Sequence, residues 1–287
     1  MTIADPAKSL LVVGFGYLGQ RAAAKALQAG WKVYATSRQI EKKAVIEAAG
    51  AEFVHFDITC PQNHDPLPAS SAWLWSPAFD RRQGLPVHEV IVVGLERALN
   101  LSPRLPQKVI YTSTTSVYHQ SDGDWVDETS PTWPRTDSGK ANLEAEQLLK
   151  SWAMEPDRQA IVLRLSGLYG PGRWIRRASI QAGEPIACEP ETWLNLVHID
   201  DAASACQAAL ESKESGTFCI TDNQPILRRD FYETSARLLQ APAPSFTPPT
   251  SPDFAGNKRV SNRKARKTLG WEPRFGDVNS GLLDCFN

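Results

Sequence analysis

An apolar run that breaks into closely spaced glycines constrains this chain more than any other feature. Residues 10–13 are Leu-Leu-Val-Val, and Gly14, Gly16 and Gly19 follow before an alanine-rich stretch. A short apolar run is typical of a buried parallel strand. Gly14 permits a tight turn, Gly16 lets a pyrophosphate approach the backbone, and Gly19 lets the next helix pack on the strand. The sequence therefore predicts a strand, a turn and a helix that hold a dinucleotide, with its phosphates at the helix N-terminus.

The context of the glycines gives the pattern its specificity. A helix-like stretch follows them, and Gly30 then leads to a second strand-like stretch at 32–36. A glycine pattern between a strand and a helix is far more specific for dinucleotide binding than the same pattern alone. The predicted cofactor loop consists of Gly14, Phe15, Gly16, Tyr17, Leu18 and Gly19.

The end of the second predicted strand indicates which dinucleotide binds. It lies roughly 20 residues past the glycine turn, where an NAD-preferring fold carries an Asp or Glu for the ribose hydroxyls. Ser37 and Arg38 stand there instead. The small serine leaves room for a 2′-phosphate and the arginine offers it charge, which favours NADP, with NAD as the alternative. The less favoured alternative is that Arg38 is simply a solvated residue at a strand end.

Two further predicted strands would complete the cofactor site. The third, at 52–56, ends at Asp57 and Ile58, where the carboxylate could accept a hydrogen bond from the adenine amine and apolar neighbours could enclose the ring. Asp57 could instead cap the next turn. The fourth, at 72–75, places Ser76 and Pro77 beside the cofactor, although its two tryptophans could also pack a loop.

Composition and charge exclude several classes of protein. The chain has 287 residues, 42% of them hydrophobic, which suffices for a large core with a second, smaller lobe. Its 31 basic and 32 acidic residues leave a net charge of -1, so bulk charge indicates no nucleic-acid or membrane-surface partner. Residues 1–6 lack a signal-like pattern and no apolar run approaches a membrane span, so we expect a cytoplasmic protein. The five cysteines lack metal spacing, so we expect reduced thiols and no metal.

Three later segments carry groups suited to chemistry. A strand at 109–112 opens into the hydroxyl-rich cluster 113–118, where an open α/β sheet would place catalytic or substrate-binding groups. A helix beginning near Thr136 carries Lys140 in its first turns. A further strand at 160–164 leads into the Tyr-Gly-Pro-Gly sequence at 169–172.

These features together resemble the extended short-chain dehydrogenase/reductase superfamily, in its NAD-dependent epimerase/dehydratase group. The resemblance covers nearly the whole chain, from the glycine turn to Leu-Gly-Trp-Glu-Pro at 269–273. It implies an α/β fold: a Rossmann-type, doubly wound parallel sheet with a small C-terminal substrate lobe. The implied division is a cofactor domain at 1–165 and a mixed segment at 166–287, of which about 200–240 returns to the sheet. It also implies a homodimer paired through two helices.

The resemblance assigns roles to individual residues. The family's catalytic Ser/Thr corresponds to Thr114, and its lysine, which holds the nicotinamide ribose, corresponds to Lys140. Cofactor contacts extend to Thr112 and Ser166. Thr114, Arg173 and Arg176 would meet the substrate, whose diphosphate suits the bidentate guanidinium, although the arginines could also lie on an exposed basic helix.

One position departs from the family. Thr136 stands where the family carries the tyrosine of its YxxxK pair, and an aliphatic hydroxyl is a far weaker acid than a phenol. Asp137 could supply an acid or base if it were buried, because burial raises the pKa of carboxylates. Tyr118 or Tyr169 could replace the phenol, or the protein could bind NADP without turnover. Val13 also stands where the family's first glycine is usual.

The sequence therefore predicts an NAD(P)-dependent oxidoreductase or epimerase that acts on a nucleotide-sugar or a related carbonyl or hydroxyl substrate. The alternative is a catalytically silent NADP-binding regulator or scaffold. Trp174 and Trp193 could stack on a substrate or pack the core. The basic run 258–267 resembles the element that closes the substrate lobe in this family. The nearly neutral charge of the whole chain favours this interpretation over a nucleic-acid-binding patch.

Overall fold

A computed structural model describes residues 8–60, 65–77, 79, 84–249 and 256–286 of the chain. The N-terminal residues 1–6, on which part of the localisation argument depends, lie outside them. The described strands are β1 (Ser9–Val13), β2 (Lys32–Ser37), β3 (Glu52–His55), β4 (Ala72–Trp75), β5 (Lys108–Thr114), β6 (Asp124–Val126), β7 (Gln159–Leu165), β8 (Gly167–Tyr169), β9 (Ile186–Ala187), β10 (Trp193–Leu194), β11 (Leu196–His198), β12 (Gly216–Ile220), β13 (Ile226–Leu227), β14 (Phe246–Thr247) and β15 (Lys258–Val260).

Helices connect and cover these strands. Short 3-10 turns lie at Ile40–Lys42 and Thr115–Val117, and a π-helical turn at Glu89–Val93 precedes the third helix. The α-helices are α1 (Tyr17–Gln28), α2 (Lys43–Ala48), α3 (Gly94–Leu101), α4 (Asp137–Trp152), α5 (Arg177–Gln181), α6 (Ile199–Glu211), α7 (Arg228–Leu238), α8 (Arg263–Leu269) and α9 (Val278–Asp284).

A seven-stranded sheet in the order β12-β7-β5-β4-β1-β2-β3 forms the centre of the fold. β1 pairs in parallel with β2 on one side and with β4 on the other, and β2 with β3 and β4 with β5 are parallel as well. This is the predicted doubly wound α/β sheet, which is confirmed. Because the strand order reverses between β1 and β4, a crevice is expected beyond the carboxyl ends of these two strands.

The sequence of β4 shows why this strand lies inside the sheet. Trp73 and Trp75 are fully buried, and residues 72–75 pair with residues 10–13 of β1. An apolar strand covered on both faces needs no polar alternation. The predicted fourth strand is therefore confirmed, and the alternative that its tryptophans pack a loop is wrong.

The described residues divide into two compact units. The first is drawn from Met1–Thr114, Asp137–Arg164 and Ala203–Phe218, and it contains most of the seven-stranded sheet. The second is drawn from Thr115–Thr136, Leu165–Ala202 and Cys219–Asn287.

Small strand pairs and a second apolar core characterise the second unit. In parallel, β8 pairs with β11, β9 with β14, and β6 with β15, whereas β10 and β13 are antiparallel. The pairing of β6 with β15 explains why residues 115–136 belong here, rather than with the rest of 1–165. The core is built around Tyr169, Trp174, Phe231 and Leu282.

A buried ion pair ties α4 to the sheet of the first unit. The Arg164 guanidinium, on β7, lies 2.6 Å from a carboxylate oxygen of Glu146, on α4, and both side chains are less than a tenth exposed. Ser113, on β5, donates a hydrogen bond of 2.5 Å to the same carboxylate. Tyr111 and Asn142 add a second bond, of 2.7 Å, between β5 and α4. The N-terminal half of α4 lies against β5 and β7 through these bonds, at Asn142 and Glu146.

Three of the five cysteines, Cys188, Cys206 and Cys219, are buried, as expected for reduced thiols, whereas Cys60 is exposed. Burial raises the pKa of Cys206 to about 12. Of the helices in the described ranges, none is long and apolar enough to cross a membrane.

Replacement of Glu146 by glutamine should destabilise the fold. Glu146→Gln leaves the Arg164 charge buried without its carboxylate, so the free energy of unfolding should fall by about 3 kcal/mol. Denaturant unfolding followed by circular dichroism measures this change. The matched control is Glu144→Gln, on the same helix, where the carboxylate is half exposed and lies 3.1 Å from His88. The control should lose about 0.5 kcal/mol or less, and equal losses in the two variants would contradict the role given to Glu146.

Candidate functional site

A cleft of about 300 Å³ lies in the first unit at the carboxyl ends of β1, β2 and β3. It combines backbone of the glycine turn with basic, acidic and apolar side chains, which is the mixture that a dinucleotide needs. The residues that line it are Val13, Gly14, Phe15, Gly16, Thr36, Ser37, Arg38, Gln39, Lys42, Phe56, Asp57, Ile58, Thr59, Pro77 and Val90.

Two glycines of the turn are required by the protein's own atoms. Gly14 has a φ of 102°, and a Cβ there would lie 2.2 Å from the carbonyl oxygen of Ser76. A Cβ on Gly19 would lie 2.1 Å from the carbonyl oxygen of Gly14. The Ser76 N–H also donates to the Val13 carbonyl, at 2.9 Å, so the hydrogen bonding between β1 and β4 continues up to the turn.

Gly16 is different, because no atom of the described residues requires a glycine there. A Cβ on Gly16 would have no heavy atom of the described residues within 4 Å, and its φ is −98°. Gly16 is the N-cap of α1, and among the described residues no side chain caps this helix. Open backbone at a helix N-terminus suits an anionic phosphate. The residues present therefore fit a dinucleotide pyrophosphate at this turn.

The remaining loop residues divide between lining and packing. Phe15 lines the cleft, whereas Leu18 lies on the buried face of α1. Tyr17 is not among the lining residues, and the Arg21 guanidinium lies over its ring at 4.5 Å.

The end of β2 makes one side of the cleft basic. Arg38 lines it, as the sequence predicted, and Lys42 from the adjoining 3-10 turn also lines it. Ser37 accepts a hydrogen bond of 3.0 Å from the Gln39 N–H, which fixes the turn between the two cations. Sequence reasoning missed Lys42, although its position four residues after Arg38 in a polar turn was a usable signal.

Asp57 caps its own turn and lines the cleft as well. Its Oδ1 accepts hydrogen bonds from the N–H and the hydroxyl of Thr59, at 2.9 and 2.7 Å. Ile58 lines the same wall together with Phe56 and Val90, two apolar residues that the sequence analysis did not single out. The Asp57 carboxylate thus serves the local turn through Oδ1, and Oδ2 accepts no hydrogen bond from the described residues.

The residues at the ends of β4, β5 and β7 contribute less directly to the cleft. Pro77 lines the cleft, whereas Ser76 acts through its backbone. The Thr112 hydroxyl donates to the Trp75 carbonyl at 3.2 Å, so it links β5 to β4 and is not among the lining residues. Ser166 is buried just past β7 in the second unit, and its hydroxyl has no hydrogen-bond partner among the described residues.

The predicted catalytic residues lie where β5 ends and α4 begins. Thr114 is the last residue of β5, and Lys140 lies in the first turn of α4 with its Nζ 3.8 Å from the Asp137 carboxylate. The Asp137 side chain is 88% exposed, so it lacks the burial that an acid role requires. Thr136, directly before α4, is exposed as well.

The chain matches the model of the NAD dependent epimerase/dehydratase family over residues 10–220. This chain belongs to that family. Protein YeeZ of Escherichia coli strain K12 is 30% identical over 279 residues, which cover 94% of this chain and 97% of YeeZ. The 3-diazoavenalumate denitrifying reductase of a Streptomyces species is 31% identical over 174 residues, which cover 55% of each chain.

One solved structure of similar fold contains both a cofactor and a nucleotide-sugar. The UDP-glucuronic acid 4-epimerase from Bacillus cereus, in complex with UDP-glucuronic acid and NAD, has a TM-score of 0.80 to this chain at 20% identity. The match covers 97% of this chain and 98% of that chain. At this identity the similarity shows the shared fold. The resemblance inferred from the motifs is thus confirmed.

Neither alternative tyrosine is arranged to replace the one that the epimerase/dehydratase family carries. The Tyr118 hydroxyl is buried and donates to the Asp127 carbonyl at 2.8 Å. Tyr169 is fully buried against Gly281, and burial raises its pKa far above the usual value. A phenol with a raised pKa is a poor acid at neutral pH.

Of the residues predicted to meet substrate, Thr114 belongs to the first unit, whereas Arg173 and Arg176 belong to the second. Arg173 and Arg176 are exposed, and their contact with a substrate stays a prediction. Trp174 packs in the core and donates a hydrogen bond of 3.1 Å to Ser235. The Trp193 ring lies 5.3 Å from the Arg259 guanidinium. Trp174 therefore has the packing role rather than the stacking role.

Substitutions at the two turn glycines should separate folding from ligand binding. Gly16→Ala should keep or slightly raise the thermal midpoint, because alanine restricts the unfolded chain. It should weaken dinucleotide binding about tenfold or more, because the new methyl group faces only the ligand. Gly14→Ala should unfold at a clearly lower temperature, because its Cβ meets the Ser76 carbonyl. Thermal melts and fluorescence titration with NADPH measure the two effects. Unchanged dinucleotide affinity in Gly16→Ala would show that the phosphates do not bind at this turn.

Proposed function

We propose that this member of the epimerase/dehydratase family binds NADP in the cleft of the first unit and uses it in hydride transfer with a nucleotide-sugar or a related carbonyl or hydroxyl substrate. The observation that carries the proposal is the pairing of an open Gly16 turn with Arg38 and Lys42 on one wall. The name of the Streptomyces relative, a reductase, supports the reaction type. The Bacillus cereus complex supports the class of substrate.

The cleft residues have distinct tasks in this proposal. The backbone at Gly16 receives the pyrophosphate at the N-terminus of α1. Arg38 and Lys42 attract the 2′-phosphate, because β2 ends in Ser37 rather than in a carboxylate that would repel it. Asp57 and Ile58 meet the adenine. When bound, NADP supplies or accepts the hydride.

Lys140 and Thr114 are the groups proposed to act near the substrate. The Lys140 ammonium would hold the nicotinamide ribose, and the Thr114 hydroxyl would donate a hydrogen bond to the substrate oxygen. Thr136 cannot supply a proton as a phenol does. The proposal therefore includes slow turnover, in which solvent water reaches the exposed start of α4 and carries the proton. A homodimer and a cytoplasmic location stay predictions.

A second function, an NADP-binding regulator or scaffold, is favoured by one specific observation. Thr136 replaces the tyrosine, and the candidate substitutes Tyr118 and Tyr169 are buried rather than directed at a ligand. A protein of this kind would bind the cofactor in the cleft without catalysing a reaction.

The basic wall should determine cofactor preference. Arg38→Ala and Lys42→Ala should each weaken NADPH binding about tenfold, and NADH binding should stay unchanged because NADH lacks the 2′-phosphate. The matched control is Lys43→Ala, the next residue, whose Nζ is 3.9 Å from the Glu47 carboxylate. Fluorescence titration with both cofactors measures the affinities. The proposed preference for NADP would be wrong if the wild-type protein bound NADH tightly and did not bind NADPH.

Restoration of the missing phenol should distinguish the enzyme from the regulator. Thr136→Tyr should raise substrate-dependent NADPH oxidation about a hundredfold, because a positioned acid of suitable pKa accelerates proton transfer by that order. Lys140→Ala should abolish the activity, whereas Lys150→Ala, at the far end of α4, should leave it intact. The measurement is NADPH absorbance with a panel of nucleotide-sugars and simple carbonyl compounds. NADPH binding without oxidation in every variant would favour the regulator.

A further inference from the structure

His55, the last residue of β3, lies beside the end of β2 that carries Arg38. In the parallel register of these strands, Ser37 pairs with His55. The His55 Nε2 is 3.3 Å from the Arg38 carbonyl oxygen, and Arg38 itself lines the cofactor cleft. The imidazole therefore contacts the residue on which the proposed cofactor preference depends.

This contact determines which nitrogen of the His55 ring carries the hydrogen. A carbonyl oxygen can only accept, so Nε2 donates to Arg38, and Nδ1 holds the lone pair when the ring is neutral. Among the described residues, Nδ1 has no hydrogen-bond partner. A proton taken up at Nδ1 adds a positive charge and leaves the bond to the Arg38 carbonyl intact. Protonation therefore changes the charge at this place without changing its geometry.

The position of the imidazole is fixed by its own strand and by the segment that follows. The His55 N–H donates to the Asp65 carboxylate at 2.8 Å, and the His55 carbonyl accepts from the Asp65 N–H, also at 2.8 Å. The Phe53 ring stacks with the imidazole at a centroid distance of 6.5 Å. At the other end of β3, Glu52 pairs with Lys32 at 3.0 Å. The imidazole is thus in place before a cofactor arrives, which reduces the entropy cost of binding.

The charges near His55 are balanced when its ring is neutral. Arg38 and Lys42 line the cleft on the side of β2. Asp57 lines it two residues after His55, and Asp65 contacts the His55 backbone. Among the described residues, these two cations and two carboxylates cancel. Protonation of His55 therefore makes this part of the cleft net positive, which favours an anion there.

We infer that His55 is a specificity-determining residue for the cofactor, which holds the Arg38 backbone and, when protonated, adds positive charge beside the 2′-phosphate of NADP. The inference rests on the proposed function in so far as NADP occupies the cleft. An ordinary imidazole changes its charge between about pH 8 and pH 5. The preference for NADP over NAD should therefore increase as the pH falls through this range, because the added charge attracts only the cofactor that has the extra phosphate.

Calorimetric titration of NADP⁺ and NAD⁺ into the wild type and His55→Asn tests the inference. In the wild type, the ratio of the two Kd values should favour NADP⁺ about threefold more at about pH 6.5 than at about pH 8.5. Asparagine can still donate to the Arg38 carbonyl but cannot gain a charge, so the ratio in this variant should not shift toward NADP⁺. The matched control is His88→Asn, at an exposed histidine of the first unit whose Nε2 is 3.1 Å from the Glu144 carboxylate. The control should behave as the wild type does.

The 2′-phosphate also gains a proton near pH 6, and this weakens its binding as the pH falls. That effect has the opposite sign to the effect of His55, and it is the same in every variant. Titrations in buffers of different ionisation enthalpy count the protons directly. The wild type should take up more protons with NADP⁺ than His55→Asn does, and the two proteins should not differ with NAD⁺.

Unchanged NAD⁺ affinity in His55→Asn would show that the variant keeps its fold, and His55→Gln, a second neutral donor, should give the same result. The role of His55 would be overturned by a preference for NADP⁺ that depends on pH equally in the wild type and in both variants. A wild-type preference that does not increase at lower pH would overturn it as well. Absence of NADP⁺ binding to the wild type would instead contradict the proposed cofactor function, and the inference with it.

Discussion

The close approach of the glycine turn to the end of β4 is the constraint on which the rest of this structure depends. Gly14 lies so near the Ser76 carbonyl that a side chain there would collide with backbone. This contact lies at the point where the strand order reverses between β1 and β4, beside the crevice that the cleft of the first unit occupies. The fully buried Trp73 and Trp75 hold β4 at that position.

The scaffold for the cofactor and the groups for chemistry are supported by separate interactions. Glu146, Arg164 and Ser113 fasten α4 to the sheet through buried charge, so the start of α4 has a fixed place even though Lys140 itself is exposed. Nothing in that support depends on the identity of residue 136. The family's fold can therefore persist in a chain that has lost its phenol, and fold alone does not establish the reaction.

Much of the fold could be predicted because its signals are local. The apolar run of β1, the glycine turn and Arg38 follow from residues adjacent in the chain. Val90 could not be placed at the cleft, because it reaches the cleft through the packing of a helical turn that sequence periodicity does not position. Lys42 could have been placed there from its position four residues after Arg38 in a polar turn. The pairing of β6 with β15 joins segments more than a hundred residues apart, and a reading of local patterns has no access to such contacts. The exposure of Asp137 is likewise a property of the folded surface.

The open space beside Gly16 has a thermodynamic consequence. Its extended backbone is one that any residue can adopt, and no described atom of the protein lies where a methyl group would be. A glycine at such a place leaves the unfolded chain with more conformational freedom than alanine would, at a cost of about 0.4–1 kcal/mol. The ligand-free protein is therefore slightly less stable with Gly16 than it would be with alanine at this position. In the proposed function, contact with the bound dinucleotide, rather than the stability of the empty protein, accounts for a glycine at this position.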